Sequence, residues 1–419
     1  MKPKLFLVAL LTSIFNINAQ TQVDLSMGAG YENEVFYDFS SNNSQTFTAS
    51  DWEIAFLRTS ATNMAIRIND GIGIQVFEAS NSENDWETID VANEANWTPL
   101  YNSDQDWFVG AFDNASETSS PFGYGWGVYD MASHTVQGTI IFVLKYDENT
   151  YRKLFIEEYL GGYTFKYATW DNSTSTWSED TTETVSNSNN PDRIFNYYNF
   201  TTGSEVIAEP ASTDWDLKFT QFTTDYPYNG GTMKYVVTGV LNHPNTIIAK
   251  SVESGNGNPN NQNYLSEINT IGYDWKEYDY QASTYNVDDE KYYYVKDTIN
   301  NEVFRLHFTS FEGSSTGNLS FNAEDVTSQL STTNFDNGDS FGFYPNPAQD
   351  QIEILYKNQT SANVNVAIYT ITGQKVLEKR LQNNGFYTEK LDVSQLSQGN
   401  YLIRFQSGNQ ITTKKLILN

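Results

Sequence analysis

The chain has no cysteine among its 419 residues. That excludes disulfide staples, a thiol-anchored lipid, a zinc–thiolate site and a cysteine nucleophile. Histidine is scarce, at three, beside five methionines, so imidazole and thioether ligands are few. Long apolar runs are missing beyond the N-terminus. The one run there, Leu5 to Phe15, is apolar except for Thr12 and Ser13; Lys2 and Lys4 precede it and Ile17-Asn18-Ala19 follows. It is too short to span a membrane and reads as a secretory signal peptide over residues 1–19. No transmembrane segment is expected after it. Catalytic signatures are absent as well: no His-Glu-x-x-His, no Gly-x-Ser-x-Gly and no glycine loop built to cradle phosphate. Acidic residues are so numerous that a carboxylate pair for glycoside hydrolysis carries no signal. The expectation is a non-enzymatic protein held together by core burial alone.

Positive charge is short, and unevenly so. Residues 21–342 hold 14 Lys and Arg against 47 Asp and Glu, a net of −33, whereas 343–419 are net +3. A body this acidic repels nucleic acid and anionic membranes, so no nucleic-acid partner is expected. Solubility outside the cell accounts for the charge. Calcium at Asp104-Gln105-Asp106 or Asp336-Asn337-Gly338-Asp339 is the sharper alternative, but neither loop has the ligand spacing of an EF-hand.

What is present is β-structure. Tyr, Phe, Thr and Val dominate the periodic runs, and no stretch carries a helical stripe. Aromatics make up 15% of the chain and suit pleated surfaces, so they are read first as core and cross-strand pairs. The last segment, 343–419, opens Phe343-Tyr344-Pro345-Asn346-Pro347-Ala348. It then alternates through Val364, Val366 and Ile368, turns at Thr372-Gly373 and at Gly399-Asn400 before Tyr401, and closes on Lys414-Lys415-Leu416-Ile417-Leu418. Alone, that pattern fits a small immunoglobulin-like β-sandwich. The order of motifs resembles the type A C-terminal sorting domain of the type IX (Por) secretion system of Bacteroidetes. The resemblance implies delivery to the outer membrane and cleavage of the segment, with the secretion machinery as partner. It makes Tyr344, Pro345, Asn346, Pro347, Gly373, Gly399, Tyr401, Lys414 and Lys415 the sorting motif, and places the mature protein outside the cell or on its surface.

Between the two addresses, landmarks repeat. Tyr37-Asp38-Phe39-Ser40 and Asp51-Trp52-Glu53-Ile54-Ala55-Phe56 are answered by Tyr198-Asn199-Phe200-Thr201 and Asp214-Trp215-Asp216-Leu217-Lys218-Phe219. Gly123-Tyr124-Gly125-Trp126 is answered by Gly272-Tyr273-Asp274-Trp275. Each copy ends in a hairpin, Ile141 to Lys145 with Tyr151 to Tyr159, and Tyr293 to Lys296 with Val303 to Phe311. The spacing predicts two related antiparallel modules over 30–175 and 193–325, an all-β protein with linkers at 176–192 and 326–342. Gly255 to Asn263 reads as an exposed loop.

Each module resembles the HmuY family of secreted haem-binding proteins, through the two Asp-Trp motifs, Tyr235-Val236-Val237-Thr238-Gly239-Val240-Leu241-Asn242 and the terminal hairpins. The resemblance implies haem held between two axial histidines or methionines. Known members are typically single modules anchored through a cysteine, and no ligand pair carries over residue by residue. The ligand candidates are Met64, Met131, His134 and Met233, since a haem iron takes an imidazole or thioether over each face. His307, in a strand whose other face holds Phe304, Leu306 and Phe308, is expected to face solvent. The alternative is a glycan- or protein-binding surface adhesin without haem, using Trp86, Trp97, Trp107, Trp170 or Trp177. A passive structural role is a third reading. Haem requires a His or Met pair facing one pocket, whereas a glycan requires a coplanar row of exposed rings.

Overall fold

The computed structural model describes residues 20–419 apart from 61, 120, 254–256, 331–339, 359–363, 382–384 and 408–409. The expected signal peptide and the Asp336–Asp339 loop lie outside the described residues. The alternating patterns become strands almost throughout. In the first half these are β1 (Thr21–Ser26), β2 (Asn33–Asp38), β3 (Asn43–Thr48), β4 (Ile54–Leu57), β5 (Ile66–Ile68), β6 (Gln75–Ser80) and β7 (Thr98–Leu100). They continue as β8 (Gly127–Asp130), β9 (Thr135–Gly138), β10 (Ile141–Lys145), β11 (Tyr151–Tyr159), β12 (Gly162–Asp171) and β13 (Thr176–Trp177). The second half runs β14 (Thr181–Ser186), β15 (Phe195–Asn199), β16 (Ser204–Val206), β17 (Leu217–Tyr228), β18 (Gly231–Asn242) and β19 (Thr246–Val252). It ends with β20 (Lys276–Asp279), β21 (Thr284–Val287), β22 (Lys291–Asp297), β23 (Val303–Phe311) and β24 (Asn318–Asp325). Among the described residues no helix is long and apolar enough to cross a membrane.

Pairing produces two strand sets of the same order. One sheet runs β14-β12-β11-β10-β6 and another β1-β24-β23-β22-β19. Two smaller sheets run β16-β15-β4-β5 and β3-β2-β17-β18. A bulge interrupts β11 between Ile156 and Glu158, and β23 is interrupted at the matching place, between Phe308 and Ser310.

The pairing does not respect the boundaries 30–175 and 193–325. Strand β2 leaves the first half to pair with β17, placing Tyr37 opposite Leu217 and Phe36 opposite Lys218. Reciprocally, β15 pairs with β4, Tyr198 opposite Ile54 and Tyr197 opposite Ala55. Likewise β1 joins β24, and β14 joins β12. The exchange keeps one register in both places, so local sequence pattern is the same whether strands are exchanged or not. Strand β14 lies in the stretch expected to be linker. An edge strand needs little apolar surface once its backbone is paired, and here only Val185 is buried.

Cores follow the exchange. The first gathers Ile54, Phe56, Phe142, Tyr163 and Phe165 from the first half with Val185, Tyr198 and Phe200 from the second. The second gathers Leu217, Phe219, Phe308 and Phe321 with Val35, Tyr37 and Phe39 from the first half. Between them lies a mixed cluster that includes Trp52, Leu57, Trp107, Phe195, Tyr197 and Trp215. Each large side chain fully buried here contributes about 1.5–3 kcal/mol, so neither half can withdraw its strands cheaply.

Residues 328–419 form a second compact unit. It holds β25 (Ser340–Tyr344), β26 (Gln351–Asn358), β27 (Val364–Thr370), β28 (Lys375–Leu381), β29 (Gly385–Asp392), β30 (Gly399–Ser407) and β31 (Gln410–Leu418). Sheets β25-β26-β29 and β28-β27-β30-β31 share one core, which includes Ile352, Ile354, Val364, Val366, Ile368, Tyr401 and Phe405. The alternation read from the sequence at Val364, Val366 and Ile368 is that core face.

Candidate binding surface

The four ligand candidates do not converge. Met64 is buried in the first core, and its carbonyl accepts the Trp126 indole N–H at 3.2 Å. Met131 is 61% exposed in the turn between β8 and β9. His134 closes that turn at φ 60° with Nδ1 3.0 Å from the Tyr129 hydroxyl. Met233 stands on β18 opposite Tyr226. One thioether inside a core, another far along a hairpin and two groups on one exposed turn do not fit an iron that needs a ligand over each face.

The remaining histidines are occupied otherwise. His243 is buried edge-on to Trp215, ring centroids 4.5 Å apart, and burial pushes its pKa down to about 4. His307 does not face open solvent: it is half-buried and stacked on Tyr292 at 4.4 Å. The sheet surface it shares is roofed by Arg305, which lies 4.0 Å over the same Tyr292 ring.

Nor are the five tryptophans free. Trp86, Trp97 and Trp107 are buried, and Trp170 packs edge-on against Trp177 at 5.1 Å. Four of their indole N–H groups are spent on the fold, Trp86 on Asp180 at 2.9 Å, Trp107 on the Asn242 carbonyl at 2.8 Å, Trp170 on Asn172 at 3.0 Å and Trp177 on the Ile89 carbonyl at 2.7 Å. A cleft of about 390 Å³ lies beside Trp107, between Gln105–Phe108 and Ser266–Ile268, and includes none of the ligand candidates. In the acidic loop Asp104 accepts from Thr224 at 2.6 Å and from Asn269 at 2.9 Å. Among the described residues no group of three or more His, Asp or Glu is placed to hold a metal ion.

The exposed rings are tyrosines on a hairpin arm. Strands β17 and β18 pair over their full length from Leu217↔Asn242 to Tyr228↔Gly231. Their counterparts β4 and β5 span only Ile54–Leu57 and Ile66–Ile68, so the outer part of the arm is an extension. Asn229 (φ 50°) and Gly230 (φ 81°) close it in the left-handed conformations of a two-residue type I′ turn. Strand periodicity then puts Tyr226, Tyr228, Met233 and Tyr235 on one face, exposed by 38%, 58%, 40% and 52%. Further down, the same face is covered, with Phe222 and Val237 buried. The other face carries the Asp225–Lys234 ion pair at 3.1 Å.

Neighbouring rings extend the surface. Tyr226 meets Tyr235 at 5.3 Å and Tyr273 at 5.7 Å. Tyr285, on the β20–β21 hairpin, meets Tyr278 at 5.0 Å, and Tyr278 meets the 87%-exposed Tyr280 at 5.1 Å. Burial pushes the Tyr285 hydroxyl up in pKa, and Tyr278, Tyr235 and Tyr280 add to the rise. The Tyr285 hydroxyl therefore stays a neutral donor and acceptor at neutral pH. The ring planes are inclined to one another by 35° to 88°. They form no coplanar row for a sugar chain; they form an uneven, amphipathic relief. The sequence reading grouped these tyrosines with the core, although Tyr226-Pro227-Tyr228-Asn229-Gly230-Gly231 is a hairpin signal that marks the arm.

In the second unit Asn346 ties the opening motif to the last strand. Its Nδ2 donates to the Lys415 carbonyl at 3.0 Å, and its Oδ1 accepts from the Ile417 N–H at 2.8 Å. Tyr344, Pro345, Pro347 and Lys415 are exposed. Gly373 turns between β27 and β28 at φ 88°, Gly399 opens β30, and Tyr401 is buried with its hydroxyl on the Ser397 carbonyl. Lys414 lies 6.0 Å over the Phe341 ring.

Comparison with known proteins places one part of the chain. Residues 342–419 match the family described as a secretion system C-terminal sorting domain. No curated protein is detectably similar in sequence. Among solved structures, the crystal structure of dimeric latent PorU from Porphyromonas gingivalis matches at 11% identity and a TM-score of 0.18. That match covers 68% of this chain and 26% of that one, so the chain spans about a quarter of its length. The sorting domain makes this an exported protein of the type IX pathway, secreted or held at the cell surface.

Proposed function

We propose that the exported protein is a non-catalytic surface-binding protein that takes hold of another protein through the tyrosine face of the β17–β18 arm. The observation that carries this is the row Tyr226, Tyr228 and Tyr235, exposed on an extension whose counterpart strands stop short. Exposed tyrosines supply large contact area at low conformational cost, each with a hydroxyl to bond, which is why they dominate paratopes and interface hot spots. The inclined rings favour a protein over a flat glycan, and the scattering of Met64, Met131, His134 and Met233 disfavours haem. The two strand sets are read as copies of one HmuY-like module kept for its architecture, with the sorting unit as an immunoglobulin-like sandwich.

The test is a paired array. Mature chain and a Tyr226→Ser/Tyr228→Ser/Tyr235→Ser variant are applied to immobilised extracellular proteins and to a glycan array. The proposal expects protein targets whose affinity falls at least about tenfold in the variant. Hits confined to glycans, or protein binding that the variant retains, overturn it.

A further inference from the structure

The arm has two edges, and they are finished differently. A two-residue turn makes Tyr228 and Gly231 a hydrogen-bonded pair, and antiparallel pairing alternates from there. On β18 the even-numbered residues from Thr232 to Asn242 therefore point their N–H and C=O groups away from β17. The base of the strand bears this out. Val240 exchanges hydrogen bonds with Gly272 at 3.0 and 3.2 Å, and Asn242 donates to the Ile268 carbonyl at 2.8 Å. Thr238 gives its carbonyl to the Lys276 ammonium at 2.7 Å. Beyond it, among the described residues, the backbone groups of Thr232, Lys234 and Val236 have no backbone partner.

The opposite edge is blocked. On β17 the outward positions are Thr223, Asp225 and Pro227. Asp70 accepts the Thr223 N–H at 3.2 Å, and Pro227 has none. Proline and charge are the usual devices against unwanted strand pairing. The open edge has one such device, Lys234, and Asp225 neutralises it at 3.1 Å.

We propose that the β18 edge from Gly231 to Val236 captures an extended, basic polypeptide segment by strand addition. This rests on the protein-binding reading of the arm and names what the arm takes. An added strand would exchange backbone hydrogen bonds with Thr232, Lys234 and Val236 over about 14 Å. Its side chains would alternate between the tyrosine face and the Asp225 face. Charge selects the occupant. The body around the arm is net −33, which attracts lysine and arginine segments and repels a second copy of the chain. The tyrosine faces then receive the cations directly.

The probe is a fluorescent peptide of about ten residues alternating lysine and valine, a length that spans the open edge. Its controls are a glutamate–valine peptide and a lysine–valine peptide N-methylated along one edge. Mature chain is titrated with each, and amide hydrogen exchange is followed at Thr232, Lys234 and Val236. Val236→Pro removes an outward N–H and leaves the pairing with β17 intact. The expected result is saturable binding of the lysine–valine peptide alone, slowed exchange at the three amides, and at least about tenfold weaker binding in Val236→Pro. The two peptide controls and the exchange data read the wild-type chain, so they decide even where Val236→Pro fails to fold. Binding without amide protection, or undiminished by N-methylation, overturns the edge. If Tyr226→Ser/Tyr235→Ser still abolishes that binding, the tyrosine reading survives alone. No binding by the lysine–valine peptide, or equal binding by the glutamate peptide, also overturns the edge proposal.

Discussion

Glu34 and Lys218 form an ion pair 2.8 Å long whose side chains are only 4% and 5% exposed. It joins β2 to the strand β2 reaches by exchange, β17. Glu34 also accepts from Thr220 at 2.7 Å and from the Trp52 indole at 3.0 Å, and Lys218 lies 5.2 Å over the Phe36 ring. The equivalent positions in the other pairing are Phe195 and Ala55, so the ion pair marks one of two otherwise matching joints.

Removing one partner leaves a buried charge uncompensated. Lys218→Met is expected to cost about 3–5 kcal/mol in denaturant unfolding, whereas Glu34→Gln with Lys218→Met, which removes both charges and keeps an acceptor for Thr220 and the Trp52 indole, should cost less than the single variant. A single variant as stable as the parent would contradict the pairing.

The exchange itself predicts how the chain can be cut. Residues 20–179 lack β14 and β15, and 180–419 lack β1, β2 and β3. Neither piece should give a folded monomer alone, and co-expression should return one complex with the parent's circular dichroism. Independent folding of both pieces would contradict the exchanged arrangement.

Strand content, the β10–β11 hairpin and the core face of β27 were legible because periodicity reports them directly. Partner choice was not. Tyr37 and Tyr198 sit in near-identical patterns, so nothing local says which of Leu217 and Ile54 each will face. Strand β14 hid in a Ser-, Thr- and acid-rich stretch because one buried valine suffices at an edge. The arm tyrosines were hidden for a related reason: a period of two marks a face, and Phe222 and Tyr226 share one face while only Phe222 is covered.

Acidic residues in the body bear on pH. Burial raises Glu209 to about 7, against the hydrogen bonds it accepts from the Ile194 and Phe195 N–H groups. A raised carboxyl binds more protons folded than unfolded, so its share of stability is full below about 4.5 and is lost as pH rises to about 7. Glu209→Gln keeps an acceptor and removes the charge. The variant should gain on the parent by about 3 kcal/mol between those limits. Parallel stability profiles would contradict it.

Haemin provides a separate check. With Met64 inside a core, Met131 and His134 on one exposed turn and Met233 on the β17–β18 arm, titration should give no saturable Soret shift in either redox state. A sharp shift lost on Met64→Ala would contradict the placement of these residues.

The central claim is that the arm is where this exported protein meets its partner. The most direct measurement puts a photoreactive phenylalanine analogue in place of Tyr228 in the mature chain and incubates it with the cells that export it and their medium. Leu160 and Ile299, exposed by 68% and 71%, serve as control positions. Illumination should give a discrete, protease-sensitive adduct from position 228 that the control positions do not give. No adduct there, or the same adducts from all three positions, would contradict the account.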